Sequence, residues 1–289
     1  MRVAILGSGG QLGTELRKTA PPGIEVIALD YPDIDLERSG ELSVRLKELK
    51  PTAIINAAAY TAVDAAEQDE AKAFTINAEA PQRLAELATK LSARLLHVST
   101  DFVFDGTKAR PYEPSDAPNP LSAYGRTKLA GERAVIETAG HRALVLRTSW
   151  LYSAHAKNFA LTMLRLFRER GSVQVVADQV GCPTWAKGLA RVLWALAEKP
   201  ELSGVWHFSD AGVASWYDFA HAIGQEATQL GLLSTSPVVS PISTQQYPTP
   251  ARRPAFSVLD SSATRVALAL VATHWREQLS LMLRELPRP

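Results

Sequence analysis

Short apolar runs alternate with amphipathic segments over the first half of the chain. The runs have the length and composition of buried β-strands and lie at 2–7, 25–30, 52–59, 94–100 and 142–150. The segments between them space their apolar residues as one face of a helix, at 11–20, 42–50, 79–92 and 123–139. Strands that alternate with helices predict βαβ units and a mostly parallel sheet.

The alternation weakens after residue 150. Helices are predicted at 158–171, 188–198, 215–227 and 273–286, with one further strand at 173–178 and another that ends at His207. The Pro-, Ser- and Thr-rich stretch 234–254 is predicted to be irregular. The expected fold class is α/β, a Rossmann-type doubly wound parallel sheet with a smaller C-terminal substrate lobe. We expect a dinucleotide-binding domain over 1–150, to which later segments return, and a mainly substrate-binding lobe over 151–289.

Composition narrows the class of function. The 31 basic and 30 acidic residues nearly cancel, so the sequence shows no electrostatic footprint for nucleic acid or membranes. One cysteine excludes an internal disulfide framework and is typical of a reducing compartment. No apolar segment has the length of a signal core or a membrane span. We therefore expect a cytoplasmic protein that acts on a small molecule.

A glycine-rich loop follows the first predicted strand. Gly7, Gly10 and Gly13 are spaced three residues apart in "GSGGQLG", and a helix follows them. Such glycines permit a tight turn and close approach of a pyrophosphate to the helix N-terminus. Asp30 ends the second strand, where a carboxylate accepts hydrogen bonds from an adenosine ribose. An acid there repels a 2′-phosphate, so this residue favours NAD, or tolerance of both cofactors.

Tyr124 and Lys128 lie one helical turn apart in "SAYGRTKLAGE" and share a face. A nearby ammonium favours the phenolate, so we expect Lys128 to lower the pKa of Tyr124, which then donates a proton during carbonyl reduction. Ser99 and Thr100, at the end of the fourth strand, are both candidates to orient the carbonyl. This spacing also arises by chance on solvated helix faces, and the preceding glycine loop, the acid and the Ser-Thr pair at a strand end together favour chemistry.

Several motifs together resemble one family. They are "GSGGQLG", "INAAAYTAVDAAE", "STDFVFDG", "NPLSAYGRTKLAGE", "RTSWLY", "NFALTMLRL", "DQVGCPT" and "ARRPAFSVLD". Along its whole length the chain resembles the extended short-chain dehydrogenase/reductases and, within them, the dTDP-4-dehydrorhamnose reductase family. The resemblance implies NADPH-dependent reduction of the 4-keto group of dTDP-4-dehydro-6-deoxy-L-mannose to dTDP-L-rhamnose, for cell-surface polysaccharide. It implies NADP(H) as cofactor with NAD(H) accepted, and it leaves a magnesium requirement and a homodimer open.

The resemblance also implies roles for individual residues. The implied catalytic residues are Thr100, Tyr124 and Lys128. The implied cofactor contacts, beside Gly7 and Gly13 of the loop, are Gly10, Gln11, Leu12, Asp30, Asp35, Leu36, Ala59, Tyr60, Thr61, Tyr124 and Lys128. The implied substrate contacts are Thr100, Asp101 and Trp150, to which we add Arg252 as a diphosphate clamp.

Three residues depart from the family pattern. Phe102 stands where a tyrosine is common, and Ala255 and Phe256 stand where Gly-Asn is common, so substrate choice is open. A nucleotide-sugar epimerase, dehydratase or other reductase of this fold remains an alternative. So does a non-catalytic dinucleotide-binding regulatory subunit, although such a protein does not need the catalytic trio.

Other reactive side chains are assigned structural roles. Cys182 is expected to be a packing residue and His207 a structural histidine, and the histidines show no metal-ligand spacing. Glu285 is expected to be solvated, with a magnesium site between subunits as the alternative. Arg253 is either a second diphosphate contact or a surface charge.

Overall fold

The computed structural model describes residues 1–288 as twelve strands and eleven α-helices. The strands are β1 (Arg2–Leu6), β2 (Glu25–Leu29), β3 (Ala53–Asn56), β4 (Arg94–Thr100), β5 (Ala143–Thr148), β6 (Leu151–Tyr152), β7 (Ser172–Val176), β8 (Val180–Gly181), β9 (Thr184–Trp185), β10 (Gly204–His207), β11 (Ala214–Ser215) and β12 (Val238–Ile242). The helices are α1 (Gln11–Lys18), α2 (Ser39–Leu49), α3 (Val63–Ala66), α4 (Glu70–Phe74), α5 (Ala80–Lys90), α6 (Ala123–Ala139), α7 (Phe159–Arg170), α8 (Ala186–Ala197), α9 (Trp216–Gln229), α10 (Ser262–Ala267) and α11 (Trp275–Leu283).

Six strands form the central sheet in the order β10-β5-β4-β3-β1-β2, and every pair is parallel. The chain leaves β1 towards β2 on one side and returns to β3 on the other. The carboxyl ends of β1 and β3 are therefore the switch point, where open α/β sheets bind ligands. The predicted fold class is confirmed.

Helices cover both faces of this sheet. On one face Leu16 of α1 and Leu193 of α8 pack in the same cluster as Val3 and Leu144 of the sheet. On the other face α2, α5 and α6 cover the strands, and the core there includes Leu84. This arrangement explains why the strands read as continuous apolar runs rather than alternating ones.

The chain beyond residue 150 builds a second core. Aromatic and aliphatic residues of α7, α9 and α11 pack together there, around Phe167, Phe219 and Trp275. However, β10 joins the central sheet beside β5, and α8 packs on α1. Segments from the second half of the chain therefore complete the sheet and the helix layer that the first half begins.

One local expectation was wrong. The stretch 234–254 was predicted to be irregular, yet β12 pairs in parallel with β7 from Val238 to Ile242. Pro241 argues against a strand because it donates no ladder hydrogen bond. A two-stranded ribbon consists only of edges, so a proline is tolerated there. Across residues 1–288, no helix combines the length and apolar character needed to cross a membrane.

Candidate active site

The glycine loop lies at the switch point, and its backbone allows both tight packing and the close approach of a ligand. Gly7 has a φ of +75°, and a Cβ there would lie 2.8 Å from Ala58 Cα. A Cβ on Gly13 would lie 2.1 Å from the Gly7 carbonyl oxygen. Gly10 caps the start of α1 and supplies no side-chain hydrogen bond. The first N–H groups of α1 therefore remain available to an anion, which fits the diphosphate of a dinucleotide.

Asp30 is tied to this loop. Its carboxylate accepts a hydrogen bond from the Gly9 backbone N–H and another, at 2.9 Å, from the Tyr31 N–H. Asp30 thus fixes the loop, and it also lines the two cavities described below.

A cavity of about 440 Å³ opens between the ends of β1, β2 and β3. It is lined by Asp30, Asp35 and Leu36, the predicted adenosine contacts, and by Ala59, a predicted cofactor contact. Lys72 also lines it and pairs with Glu37 at 3.1 Å. The pocket therefore presents carboxylates together with one lysine, a mixture that the sequence did not reveal.

A second cavity of about 710 Å³ continues from the first along the carboxyl ends of β3, β4 and β5. It brings together most of the predicted site residues: Gly7, Gly10, Gln11, Leu12, Asp30, Ala59, Thr61, Thr100, Asp101, Tyr124, Lys128 and Trp150. Gly13 instead packs beneath the loop, and Tyr60 packs beside Tyr124 in a small apolar cluster. Residues from separate parts of the sequence therefore line one continuous groove.

The start of α6 is fixed by several contacts. The Ser122 hydroxyl accepts a hydrogen bond from the Gly125 N–H at 3.2 Å, and Glu67 accepts one from the Ala123 N–H at 2.7 Å. A Cβ on Gly125 would lie 2.2 Å from the Phe102 carbonyl oxygen, so glycine lets the helix approach the end of β4. This approach places Tyr124 beside the β4 terminus.

Tyr124 does not have the lowered pKa that its spacing from Lys128 suggested. Burial raises the pKa of Tyr124 to about 12, the Thr100 hydroxyl lowers it, and the Asp101 carboxylate raises it. The expectation was wrong because desolvation of the phenolate dominates, and the charge acting beside it is negative. Tyr124 is therefore protonated at neutral pH and available as a proton donor.

Lys128 is fully buried and lies on a polar network that the sequence analysis missed. Its Nζ donates to the Val98 carbonyl oxygen at 2.7 Å and lies 3.5 Å from His97 Nε2. His97 Nδ1 lies 3.0 Å from Asn56 Nδ2, and Asn56 Oδ1 accepts the Ala58 N–H at 3.2 Å. Burial lowers the pKa of Lys128 to about 8, and Glu132 raises it. In the sequence, a histidine within an apolar strand was the only indication of this polar network.

The end of β4 presents three polar side chains to the cavity. Thr100 Oγ1 donates to Asp101 Oδ1 at 3.1 Å and accepts the Phe102 N–H at 3.2 Å. Burial raises the pKa of Asp101 to about 6, while hydrogen bonds from Ser257 and Thr100 lower it. Among the described residues, Ser99 Oγ and Asp101 Oδ2 have no hydrogen-bond partner. Unpaired buried polar atoms at a cavity wall indicate a place for a polar ligand.

The loop after β3 is held by Asn77, which belongs to a π-helical turn at Thr75–Glu79. Its amide oxygen accepts the Tyr60 N–H at 2.8 Å, and its amide nitrogen donates to the Tyr60 carbonyl oxygen at 3.1 Å and to Thr127 at 3.2 Å. The segment Ala59–Thr61 is thereby fixed to α6. No pattern in the sequence indicated this role for Asn77.

The second half of the chain closes the far side of the larger cavity. Trp150, Phe159 and Trp216 line it together with Arg253. Arg252 is exposed and does not line this cavity, so the structure moves the clamp candidate to Arg253. Arg253 faces inwards because its guanidinium pairs with Asp64 at 2.9 Å.

Cys182 and His207, which were assigned structural roles from the sequence, lie in buried, hydrogen-bonded surroundings. Cys182 is buried, its thiol donates to the Gly212 carbonyl oxygen at 3.1 Å, and burial raises its pKa to about 11. His207 lies 3.0 Å from the Tyr112 carbonyl oxygen and 3.3 Å from Arg147 Nη1. Burial lowers the pKa of His207 to about 3, so it is neutral.

Glu15, His155 and Glu285 form the one cluster in the described chain that has metal-ligand spacing. The buried Glu15 Oε1 accepts no hydrogen bond, which suits a cation. However, Lys187 binds Glu285, and Lys18 Nζ lies 2.9 Å from His155 Nε2. Magnesium prefers oxygen ligands, so a cluster with an imidazole and two ammonium groups fits it poorly.

The glycine-lined switch point, the strand-end threonine and the Tyr-x-x-x-Lys helix face meet on one cavity. Together with the all-parallel sheet they define a dinucleotide-dependent dehydrogenase of the extended short-chain type.

Comparison with known proteins narrows this class. Residues 1–288 match the family model described as "RmlD substrate binding domain". The chain is 41% identical to the dTDP-4-dehydrorhamnose reductase of Aggregatibacter actinomycetemcomitans, over 96% of this chain and 97% of that protein. It is 42% identical to a probable dTDP-4,6-dihydroxy-2-methyloxan-3-one 4-ketoreductase of Streptomyces antibioticus, over 96% and 93% of the two chains. The crystal structure of the Bacillus anthracis dTDP-4-dehydrorhamnose reductase in complex with NADP superposes with a TM-score of 0.93, at 34% identity and 99% coverage of both chains.

The chain therefore belongs to the RmlD substrate binding domain family, whose relatives here include dTDP-4-dehydrorhamnose reductases. The family resemblance inferred from the motifs is confirmed.

Proposed function

We propose that this chain reduces the 4-keto group of dTDP-4-dehydrorhamnose to dTDP-L-rhamnose, with NADPH as the reductant and NADH also accepted. The observation that carries the proposal is the position of Tyr124, a protonated phenol beside Thr100 in the cavity that begins at the glycine loop. Membership of a family with named reductases, over the whole chain, supports the same reaction.

The groove fits a dinucleotide. The free N–H groups at the start of α1 would hold the diphosphate, with Gly7 and Gly13 providing room. Asp30, Asp35 and Leu36 would contact the adenosine, with Lys72 as the nearby cation when a 2′-phosphate is present. Gln11, Leu12 and the Ala59–Thr61 segment would frame the middle of the cofactor, and Lys128 would bond the nicotinamide ribose.

The reduction needs a hydride and a proton. When bound, the reduced nicotinamide supplies the hydride to the carbonyl carbon. Tyr124 donates its phenolic proton to the carbonyl oxygen, so the ketone becomes an alcohol. Thr100 orients that oxygen, and the Lys128 ammonium stabilises the phenolate that Tyr124 leaves. Asp101, Trp150 and Arg253 would contact the sugar nucleotide, with Arg253 facing its diphosphate.

The remaining expectations form part of this proposal. We assign residues 1–150, completed by α8 and β10, to cofactor binding and most of 151–289 to the substrate lobe. The enzyme would work in the cytoplasm, where nucleotide sugars and reduced cofactors are available. A homodimer is compatible with the fold and is tested by sedimentation.

The decisive assay follows NADPH absorbance with dTDP-4-dehydrorhamnose generated from dTDP-glucose by a dehydratase and an epimerase. Oxidation of NADPH with formation of dTDP-rhamnose is the expected result. Firm cofactor binding without oxidation would instead favour a regulatory subunit.

Phe102 favours a second candidate substrate. Its ring meets the Tyr124 ring edge-on, with centroids 5.7 Å apart, and it offers the sugar no hydroxyl. A dTDP-4-keto sugar with fewer hydroxyl groups would lose fewer hydrogen bonds beside Phe102. The Streptomyces relative is named for a related 4-keto sugar. Comparison of kcat/KM for dTDP-4-dehydrorhamnose and its 2-deoxy analogue decides between them.

A further inference from the structure

Trp150 has an unusual backbone for a large residue. Its φ is +46°, in the left-handed region that bulky side chains seldom adopt. It stands between β5 and β6, where the chain passes from the central sheet into the second core. A strained residue persists only where its surroundings impose the strain, and such residues cluster at functional sites.

The Trp216 indole stacks face to face on Trp150. The ring centroids lie 3.6 Å apart and the planes differ by 6°. Trp216 is itself well fixed, because it is the first residue of α9 and the Ser215–Asp218 capping box fixes that helix start. Phe159 packs on Trp216 from the side at 4.6 Å. The stacked pair is therefore anchored in the second core.

Gly181 leaves room for the Trp150 indole on another side. A Cβ at this position would lie 2.6 Å from Trp150 Cε2 and 2.7 Å from its Nε1. Gly181 does not have a positive φ, so glycine is required here by space and not by backbone conformation. It pairs with Ala214, two residues before Trp216. The same two-stranded ribbon thus carries both contacts.

We propose that Trp216 and Gly181 are positioning residues that hold the Trp150 indole as the wall against which the sugar nucleotide packs. The inference rests on the proposed function and extends it to two residues outside the catalytic trio. Trp150, Trp216 and the neighbouring Phe159 all line the larger cavity. Where Trp216 and Gly181 leave it uncovered, a fixed indole presents a rigid apolar surface without losing rotamer freedom on binding, which favours tight binding of a ring-shaped ligand.

A purely structural role makes a different prediction. If the stack only stabilised the second core, its loss would lower the melting temperature and leave substrate KM unchanged. If it positions the wall, KM for the sugar nucleotide rises while cofactor affinity stays constant, because neither Trp216 nor Gly181 belongs to the glycine loop or lines the smaller cavity.

The first test replaces the stacking partner. In Trp216→Leu we expect loss of the far-ultraviolet exciton couplet of the stacked indoles and a rise in sugar-nucleotide KM of about tenfold. We expect kcat to fall less than about threefold and NADPH affinity to stay unchanged. Trp216→Phe should recover much of the KM. Trp206→Leu is the matched control, since Trp206 is also half-buried but lies outside the cavity and donates to the Ser203 carbonyl oxygen.

The second test leaves both indoles in place. Gly181→Ala should displace Trp150, weaken the couplet and raise KM, whereas Gly40→Ala, where a Cβ meets nothing within 4 Å, should change neither. This variant and Trp216→Phe keep the test open if Trp216→Leu does not fold. Unchanged KM in Trp216→Leu and Gly181→Ala variants that have lost the couplet overturns the proposal, whereas Trp216→Phe keeps an aromatic partner and serves as the rescue.

A calorimetric titration with dTDP separates this inference from the proposed reaction. A wild type that binds dTDP but does not reduce the sugar contradicts the reaction alone. Equal dTDP affinity in wild type, Trp216→Leu and Gly181→Ala contradicts the wall, as does a wild type with no dTDP affinity.

Discussion

Two groups of buried polar side chains lie along α6, and they are satisfied to different degrees. Towards the middle of the helix Glu132 and Arg147, 2% and 3% exposed, form three hydrogen bonds of 2.7–3.1 Å. His207 lies against the remaining nitrogen of Arg147 at 3.3 Å. At the N-terminal end, by contrast, Ser99, Asp101 and Thr148 each keep a buried oxygen without a partner. The first group is complete, and the second is open to the cavity.

The difference separates structure from function within one helix. A satisfied buried network fixes the fold, and an unsatisfied one costs free energy unless a ligand completes it. Burial moves the pKa values of Asp101 to about 6 and of Lys128 to about 8 at the open group, close to the pH at which an enzyme works. Substitutions in the two groups should therefore affect different measurements.

The largest effect is expected on turnover at the open group. Tyr124→Phe removes the proton donor and should lower kcat about 10²–10⁴-fold, because general acid catalysis contributes about that much. NADPH affinity and melting temperature should change little. The control is Tyr112→Phe, which removes a hydroxyl bonded to Asp105 at 3.0 Å but lies outside the larger cavity. Near-normal turnover in Tyr124→Phe would exclude it as the proton donor.

The next effect is expected on stability at the complete group. Arg147→Met leaves the Glu132 carboxylate buried without its partner and should lower the free energy of unfolding by about 3–5 kcal/mol. Chemical denaturation measures the loss, and a Glu132→Gln/Arg147→Met double variant should recover part of it. The exposed pair of Arg165 and Glu169, at 2.8 Å, is the control, since Arg165→Met should cost less than about 1 kcal/mol.

A smaller effect is expected on the pH dependence of stability. Asp101 has a folded pKa of about 6, raised by burial from 3.8, so its contribution to stability is fully present below about pH 4 and lost as pH rises through 6. Asp101→Asn removes this titration. The free energy of unfolding, measured by thermal melting at a series of pH values, should then vary less between pH 4 and pH 6, by about 1–3 kcal/mol. Asp210, with a pKa raised to about 7 by burial, should maintain a residual slope. An unchanged profile would show that Asp101 is not held at a raised pKa.

These two groups also show what the sequence could predict. The bounds of α6, the glycine loop and the strand ends follow from local spacing, so pattern alone selected Tyr124 and Lys128, whereas only the family resemblance selected Thr100 over Ser99. Arg147 and Glu132 lie on different elements and are joined only by the packing of α6 on β5, which leaves no local signal. The sequence did not show that Arg253, and not Arg252, lines the cavity, because this orientation depends on the pairing of Arg253 with Asp64.

Burial and tertiary pairing explain two further features that the sequence did not predict. The raised pKa of Tyr124 comes from desolvation, a property of depth that helical spacing does not encode. The strand that ends at His207 was predicted, but the place of this strand, β10, beside β5 emerged only from the register Val205–Val145. Tertiary pairing decides such short elements.

The smallest effect tests which group His97 belongs to. Because Asn56 Oδ1 accepts the Ala58 N–H, its amide nitrogen faces His97 Nδ1 and donates to it. Burial and the Lys128 charge lower the pKa of His97 well below its usual range, so the ring is neutral and its remaining proton lies on Nε2, directed at Lys128 Nζ. An N–H dipole facing an ammonium disfavours the charged amine. His97→Leu should therefore shift the alkaline limb of kcat/KM, expected near the Lys128 pKa of about 8, upwards by less than about one pH unit. An unshifted limb with lowered stability would place His97 with the complete, structural group.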